Sequence, residues 1–294
     1  MNTHFKSLTS VAIILIGALT LRGEEFVNTI EKTFPISEGG KLTTNLVDAD
    51  ITVSSHDKAE VYVHITRKVK GKSEEEAQEI FAKHIIDFES EPDSLTIITK
   101  REDKKSKLWN FRRGSMNVNF QIRVPRQLHT HLKTVDGDVR LTEVAGNSTV
   151  NTVDGDLKVS NVAGKLNLKT VDGDVNISHL MGPLVVRSVD GDLALNNIQG
   201  SIQAKTVDGD VAVELTGKPE GNSSIESTDG DIALTLTEGV GVTIDAKASD
   251  GTVHLPFVAE SIQKRGDTTH IVASAHGGGP QLVLRTRDGD IVAQ

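Results

Sequence analysis

The stretch Thr134-Val135-Asp136-Gly137-Asp138-Val139 returns repeatedly toward the carboxyl terminus, and its recurrence decides the fold. The first aspartate of each copy stands at Asp136, Asp154, Asp172, Asp190, Asp208, Asp229, Asp250 and Asp288. Successive copies are 18, 18, 18, 18, 21, 21 and 38 residues apart. A nearly fixed period of this length indicates a solenoid, in which each repeat forms one coil of a rod.

Each copy is followed by two groups of alternating apolar residues. The residues three and five places after the first aspartate are apolar in six copies, as at Val139 and Leu141. Spacing by two places both side chains on one face of a strand. A glycine such as Gly146 then marks a corner, a second strand follows, and a small hydroxyl residue such as Thr152 precedes the next turn. The Asp-Gly pair closes the coil, because both residues tolerate the backbone angles of a tight turn.

One coil cannot bury its apolar side alone. About five inward side chains contribute roughly 1.5–3 kcal/mol each, whereas ordering about eighteen residues costs roughly 1–2 kcal/mol apiece. Coils stacked about 4.8 Å apart bury that side against their neighbours. The sequence therefore predicts an all-β fold, a single-stranded right-handed parallel β-helix, because parallel crossovers are right-handed. A left-handed hexapeptide helix is the alternative, but it needs one inward residue every six rather than groups at i and i+2.

The regular solenoid is predicted at residues 131–294, and residues 24–130 are expected to form a first coil with a small α/β cap. The first coil is recognised by Gly40, which precedes Asp48 by eight residues, the same interval that separates glycine from aspartate in later coils. A cap is expected because an open solenoid end exposes unpaired strand edges.

The cap sequence predicts one helix and several strands. Ser73-Glu74-Glu75-Glu76 has the form of a capping box, so a helix is expected near residues 74–84. Strands are expected at residues 61–65, 95–98 and 118–124.

The amino terminus has the pattern of a secretory signal peptide. His4 and Lys6 precede an apolar run from Leu8 to Leu21, which is too short for a comfortable membrane span. We expect a signal peptide at residues 1–23 and an exported protein, periplasmic or at the cell surface, whose mature chain has no transmembrane span. An uncleaved anchor or a buried strand is the alternative, because the residues around Arg22 make a poor cleavage site.

Composition and motifs exclude several classes of function. The 294-residue chain carries a formal net charge of −9, which argues against a nucleic-acid partner. It has no cysteine, which excludes disulfides, thiolate metal sites and lipoprotein attachment. The histidines lack metal-ligand spacing, and no nucleophile elbow, phosphate loop or dinucleotide fingerprint is present. We therefore expect no enzyme, no catalytic residue and no cofactor. A carbohydrate-active β-helix enzyme acting on an envelope or extracellular polysaccharide is the alternative.

The turn aspartates are the first candidate binding site, because stacking would align them in a column of carboxylates. This acidic column comprises Asp136, Asp154, Asp172, Asp190, Asp208 and Asp229. Neighbouring carboxylates about 5 Å apart repel by roughly 0.8 kcal/mol in water and roughly 3 kcal/mol at an effective dielectric of 20. Basic residues three places earlier, such as Lys169 and Arg187, could offset the repulsion together with backbone N–H groups. The alternatives are bound Ca²⁺ and a recognition surface for a partner.

A basic loop between residues 100 and 113 is the second candidate site. It surrounds Trp109 and includes Lys104, Lys105, Lys107, Arg112 and Arg113. Such a loop could bind an anionic envelope polymer or lipid surface, or it could be a solvated hairpin loop. The expected partner is therefore an envelope or surface polymer or protein.

The whole pattern resembles a bacterial family described as putative adhesins of otherwise unknown function. The resemblance rests on the signal segment, the degenerate coil at Gly40–Val53, the acidic helix near Ser73 and the repeated Val-Asp-Gly-Asp turns. It implies a right-handed β-solenoid of the cell envelope and brings no catalytic residues. The present sequence departs from the family pattern by using aspartate, rather than asparagine, at nearly every turn.

Overall fold

The computed structural model describes residues 15–16, 20–22, 25–70, 73–101 and 116–294, and within these ranges the fold is all-β with a single helix. The amino-terminal elements are β1 (Leu15–Ile16), β2 (Thr20–Arg22), β3 (Glu25–Pro35), β4 (Lys41–Asn45), β5 (Asp50–His56), β6 (Glu60–Lys70), α1 (Glu74–Lys83), β7 (His84–Glu91), β8 (Ser94–Arg101) and β9 (Met116–Pro125). The repeat region contains β10 (His129–Lys133), β11 (Val139–Thr142), β12 (Ser148–Asn151), β13 (Leu157–Ala163), β14 (Leu166–Lys169), β15 (Val175–Met181), β16 (Leu184–Arg187), β17 (Leu193–Gln199), β18 (Ile202–Lys205), β19 (Val211–Leu215), β20 (Ser223–Glu226) and β21 (Ile232–Leu236). The carboxyl-terminal elements are β22 (Val242–Asp250), β23 (Val253–His254), β24 (Val258–Arg265), β25 (Thr268–Ala275), β26 (Gln281–Asp288) and β27 (Ile291–Ala293).

The strands form two large sheets, and each regular coil contributes one strand to each sheet. Sheet A runs in the order β1-β3-β6-β9-β5-β11-β13-β15-β17-β19-β21-β27-β23, with β2 beside β3. Sheet B runs in the order β24-β25-β22-β26-β20-β18-β16-β14-β12-β10-β4-β8-β7. In the regular coils the neighbours are parallel and pair residues 18 positions apart, as Leu157 with Val175 and Leu166 with Leu184.

The core lies between the two sheets and extends along the rod. Val139, Leu157, Val175 and Leu193 pair in succession in sheet A, and each is at most 1% exposed. This confirms that the residues spaced by two point inward. They belong to one hydrophobic cluster that extends from Phe34 to Ala293.

The coil predicted around Gly40–Val53 packs directly on the first regular coil, although a long excursion separates them in sequence. Strand β4 pairs in parallel with β10, and β5 pairs in parallel with β11. On the other side of this coil, β9 and β8 add one parallel strand to each sheet. The long antiparallel strands β6 and β3 extend sheet A further, and antiparallel β7 extends sheet B.

Helix α1 begins and ends as its sequence predicts. The N–H of Glu76 donates to Ser73 Oγ at 3.3 Å, and Ala77 and Phe81 are buried. At the other end, Arg67 Nη1 donates to the carbonyl oxygens of Phe81 and His84, at 3.0 and 3.1 Å. Because Arg67 is itself buried in the strand beneath, this contact fixes the last turn of the helix on sheet A.

The two final coils are stacked in the reverse of their sequence order. The order of the motifs in the sequence predicts that the residues around Asp288 complete a last half-coil after the Asp250 coil, and this prediction is wrong. Strand β26 lies between β20 and β22, and β27 lies between β21 and β23. Residues 258–278, which interrupt the period, contain the antiparallel hairpin β24–β25, and this hairpin extends sheet B by two strands.

The predicted signal peptide lies mostly outside the described residues. Within it, β1 and β2 each pair antiparallel with β3. In the ranges that the structure describes, no helix has both the length and the apolar composition needed to cross a membrane.

Candidate functional site

The Asp-Gly turns stack into one edge of the rod, which we call the turn edge. It consists of three rows, named here the basic, valine and aspartate rows, which are exposed except at the half-buried Val135. The basic row contains Lys133, Lys169, Arg187 and Lys205, the valine row contains Val135, Val153, Val171, Val189 and Val207, and the aspartate row contains Asp136, Asp154, Asp172, Asp190, Asp208 and Asp229. Parallel bridges join each of these aspartates to the next and continue from Asp229 to Asp288. The structure thus brings the predicted acidic column together.

A second line of aspartates, two residues further along each turn, forms a hydrogen-bonded ladder along the rod. Asp156 N–H donates to Asp138 Oδ1 at 3.0 Å, and Asp174 N–H donates to Asp156 Oδ1 at 3.0 Å. The same bond recurs from coil to coil between Asp50 and Asp290. Each of these carboxylates therefore accepts a backbone N–H of the next coil, so the second aspartate of the motif has a structural role.

The ladder ends at Thr252, which replaces the second aspartate in the Asp250 coil. Both its N–H and its hydroxyl donate to Asp290 Oδ1, at 2.7 and 2.9 Å. Since no coil stacks beyond this one in sheet A, a carboxylate at this position would have no N–H to accept. The substitution is explained by its place at the end of the stack.

The first aspartates are exposed, and Asp229 lies next to Asp288 where the chain order reverses. A hydrogen bond with Asp288, together with desolvation and the charges of Asp288 and Asp208, raises the pKa of Asp229. Arg287 opposes this shift, and its Nε lies 3.9 Å from Asp288 Oδ2. Asp229 therefore binds a proton more readily beside Asp288 than it would alone.

At Lys169, Arg187 and Lys205 the basic row does not pair with the aspartates, contrary to one of our explanations for the column. Among the ion pairs of the described residues, none joins Lys169, Arg187 or Lys205 to a turn aspartate. Lys205 Nζ instead contacts Glu226 Oε2 at 3.1 Å, across adjacent strands of sheet B. The basic residues belong to the outer face of that sheet, whereas the aspartates lie beyond it on the turn.

Buried hydroxyl groups hold the turn from the inside. Thr170 Oγ1 donates to the carbonyl oxygen of Asp172 at 3.3 Å, and Ser188 Oγ donates to that of Asp190 at 3.1 Å. The small hydroxyl residue before each turn from Asp136 to Asp229, and before Asp288, is therefore a buried donor. It fixes the backbone that presents the valine and aspartate rows.

The second candidate site cannot be placed, since Lys104, Lys105, Lys107, Arg112 and Arg113 lie outside the described residues. At the start of this segment, Lys100 Nζ contacts Asp87 Oδ2 at 2.8 Å on the exposed surface of sheet B.

A polar cluster that the sequence did not indicate lies on the outer face of sheet B near its carboxyl-terminal end. Asp245 Oδ1 is 2.9 Å from both His270 Nε2 and Arg285 Nη2, and Gln281 Nε2 donates to Asp245 Oδ2 at 3.3 Å. These residues come from β22, β25 and β26. The only sequence signal would have been their positions on paired strands, which required the coil order to be known.

The described residues contain no group of three or more His, Cys, Asp or Glu side chains arranged to hold a metal ion.

The family described as Toastrack DUF4097 matches residues 40–293, which cover all of the coils described above. The chain belongs to this family. The Toastrack match confirms the resemblance found from the repeat and the degenerate first coil.

Three solved structures are similar to this Toastrack chain, and each covers 90% of it. They are a putative adhesin from Bacteroides fragilis (16% identity, 97% of that chain, TM-score 0.35), a putative cell adhesion protein from Clostridium sporogenes (14%, 97%, 0.26) and a putative lipid binding protein from Parabacteroides distasonis (13%, 96%, 0.35). A search of curated proteins returns no match.

Proposed function

We propose that this Toastrack protein is an exported, non-catalytic β-solenoid that binds an extended polymer or protein of the cell envelope or surface along its turn edge. The observation that carries the proposal is the register of the turn edge. From Asp154 to Asp208 every coil presents an exposed valine beside an exposed aspartate, at the strand spacing of about 4.8 Å.

The valine row can contribute apolar contact, but only weakly per coil. Val153, Val171, Val189 and Val207 remain 38–46% exposed. Complete burial of a valine contributes about 1.5 kcal/mol, so covering the exposed part contributes about 0.6 kcal/mol per coil. A small ligand on one coil would gain little, whereas a partner that follows several coils adds these contributions. This favours an extended partner.

The arrangement of carboxylates supports a binding role over the alternative of a polysaccharide-degrading enzyme. Such an enzyme would need acidic groups clustered on a strand face, where a general acid and a nucleophile or base can flank one bond. Here the repeated carboxylates lie at the turns, and those of the second line accept backbone N–H groups. The outer face of sheet A instead bears Arg140, Lys158, Asn176 and then Ala194 and Ala212 along one row.

We also propose that the coils wind in the right-handed sense and that the amino-terminal strands and α1 act as a cap. Right-handed winding is supported by the general handedness of parallel crossovers. The cap role is supported by the antiparallel β3, β6 and β7, which extend both sheets beyond the first coil. Strands in that position cover the backbone groups of the first coils, which would otherwise be an unpaired edge.

Export is proposed from the positively charged start and the apolar run that ends at Leu21. Expression of the full chain in a Gram-negative host, followed by fractionation and mass measurement, should give a periplasmic or surface product shortened near Gly23. A full-length product in the membrane fraction would instead indicate an uncleaved anchor, and a cytoplasmic product would contradict export.

We propose that the turns need no cation, because the first aspartates are exposed to water, where their repulsion is weak, and the second aspartates already accept hydrogen bonds from the next coil. Thermal melting should therefore be the same with excess Ca²⁺ and with excess chelator. A clear rise of Tm in Ca²⁺ would favour the calcium-stiffened alternative.

Binding is tested by screening the full chain against arrayed glycans, envelope polymers and surface proteins, and by repeating each positive result with two charge-matched triple variants. The test variant carries Asp172→Asn, Asp190→Asn and Asp208→Asn. The control variant carries Asp57→Asn, Asp93→Asn and Asp267→Asn, three exposed aspartates in turns away from the turn edge. We expect the test variant to bind at least tenfold more weakly and the control to bind unchanged. Equal binding by both variants, or no ligand in the screen, would contradict the proposal.

A further inference from the structure

The carboxyl-terminal end of sheet B is an open strand edge with exposed apolar side chains. Among the described strands, β24 pairs only with β25 and is the last strand of the sheet. Seven of its eight residues are exposed, among them Val258 at 80% and Ile262 at 67%. These two are the most exposed large apolar side chains in the described part of the chain. An edge of this kind invites pairing with a further strand.

The other three ends of the two sheets are less suited to pairing with a further strand. At the amino-terminal end of sheet A, β3 is covered by β1 and β2, and at that end of sheet B, β7 contacts helix α1. At the carboxyl-terminal end of sheet A, β23 has only two residues, and the nearby Leu255 and Phe257 pack against the core. Strand β24 is therefore the edge on which a further strand can lie at length.

The charge pattern of β24 indicates which strand can pair with this edge. Glu260 lies in its first half, and Lys264 and Arg265 lie at its end. When two copies of the strand pair antiparallel, the acidic half of each faces the basic half of the other. A parallel pair would place like charges together, which is destabilising. The edge is thus complementary to itself in one orientation only.

We propose that two copies of this chain associate tail to tail, with β24 of one paired antiparallel to β24 of the other about a two-fold axis near Ile262. In this contact, Ser261–Lys264 lie in the part of β24 that pairs regularly with β25, and Glu260 lies at the irregularity between Ala259 and Ser261. Sheet B then continues from one rod into the other. A two-fold contact uses the same surface on both copies, so it closes as a dimer and does not form fibres. The turn edges remain free, so the inference is independent of the proposed binding function.

The proposal is tested by sedimentation of the full chain over a range of concentrations. We expect a monomer–dimer equilibrium, weakened at least tenfold by Ile262→Ser because that side chain lies at the centre of the contact. The control is Met181→Ser, since Met181 is similarly exposed, at 61%, on a different part of the rod. It should leave the equilibrium unchanged.

A charge-reversal series tests the antiparallel register. The double variant Lys264→Glu with Arg265→Glu should be monomeric, because each acidic half would then face an acidic end. Adding Glu260→Lys should restore the dimer. A wild-type chain that is monomeric at every concentration, a dimer unaffected by Ile262→Ser, or failure of Glu260→Lys to restore association while circular dichroism shows a folded chain would overturn the proposal.

Discussion

At the scale of single residues, the turn glycine is the position where the stack tolerates least change. Gly173 has φ of +136°, and a Cβ built on it would overlap the carbonyl oxygen of Gly155 in the preceding coil. The residue is therefore constrained both by its own backbone and by its neighbour.

We expect Gly173→Ala to lower the free energy of unfolding by at least about 2 kcal/mol, because neither backbone can move without disturbing adjacent coils. The matched control is Gly221→Ala, since no atom lies within 4 Å of a Cβ there. That change should stay within about 0.5 kcal/mol. Urea unfolding of both variants gives the comparison, and equal stabilities would mean that the coils can separate to admit a methyl group.

The pair Asp229 and Asp288 predicts a pH dependence. The pKa of Asp229 is raised in the folded chain, so the folded state binds this proton more tightly than the unfolded state. The proton on Asp229 therefore stabilises the folded state at pH values below the unfolded pKa of about 3.9. This stabilisation is lost as the pH rises through the folded pKa. Removing the charge should therefore stabilise the rod at neutral pH.

Asp229→Asn is expected to raise the urea midpoint at pH 7, and the gain should vanish near pH 3. Asp288→Asn should give a similar gain, and the double variant little more, because one repulsion is removed in each case. Asp57→Asn, in an exposed turn elsewhere, serves as the control. A lower midpoint for Asp229→Asn at pH 7 would show that the carboxylate is needed.

The sequence predicts which strand residues point inward, but it does not predict which groups the turn carboxylates contact. Val139 and Leu141 alternate with polar residues, and this alternation alone fixes their burial. The partner of Asp156, by contrast, is a backbone N–H of the next coil, a donor that every residue carries. Basic residues three places before the first aspartate of a turn, such as Lys169, are the partners that the sequence suggests, because charge is visible in a sequence and backbone geometry is not.

At the scale of elements, prediction succeeded where a local pattern is sufficient. The capping box at Ser73 and the expected strands around it correspond to α1, β6, β8 and β9. Strand β7 was missed because it follows α1 without an intervening glycine or proline. Its start is set by tertiary pairing with β8, which no local signal reports.

The Asp245 cluster is an element-scale feature, since it ties three strands together on the outer face of sheet B. Burial alone would raise the pKa of Asp245, but the His270 hydrogen bond and the charge and hydrogen bond of Arg285 together lower it. The carboxylate therefore stabilises the folded chain above the unfolded pKa of about 3.9, and this contribution is lost as the pH falls through the folded pKa.

Asp245→Asn should cost about 1.5–3 kcal/mol at pH 7, the usual range for hydrogen bonds to a charged group, and less as the pH falls below about 3.9. Asp267→Asn, an exposed change in the turn between β24 and β25, is the control and should be nearly neutral. Urea unfolding at several pH values measures both variants. A constant cost at every pH would attribute the effect to side-chain shape instead of charge.

At the scale of the whole molecule, the order of the last coils was the main feature that the sequence failed to predict. Asp250 and Asp288 head the same type of turn, so their local patterns fit either stacking order. One signal was present: Thr252 lacks the carboxylate that an inner coil needs to accept the next N–H. The residue at the second aspartate position of the turn therefore indicates whether a further coil stacks on that coil. This can be recognised only when the hydrogen-bonded ladder is known.

This order makes the final residues of the chain an internal part of the rod. Strands β26 and β27 contact coils on both sides, so a chain ending at Gly279 would lose the partners of β20 and β21 on one side and of β22 and β23 on the other. Because stacked repeats are stabilised mainly by their nearest neighbours, the loss should remain local. Hydrogen exchange should show that Val242–Asp250 loses protection in the truncated chain while Leu157–Ala163 keeps it. Full protection of Val242–Asp250 would mean that the Asp250 coil can pack directly on the Asp229 coil, and that the inserted coil is dispensable.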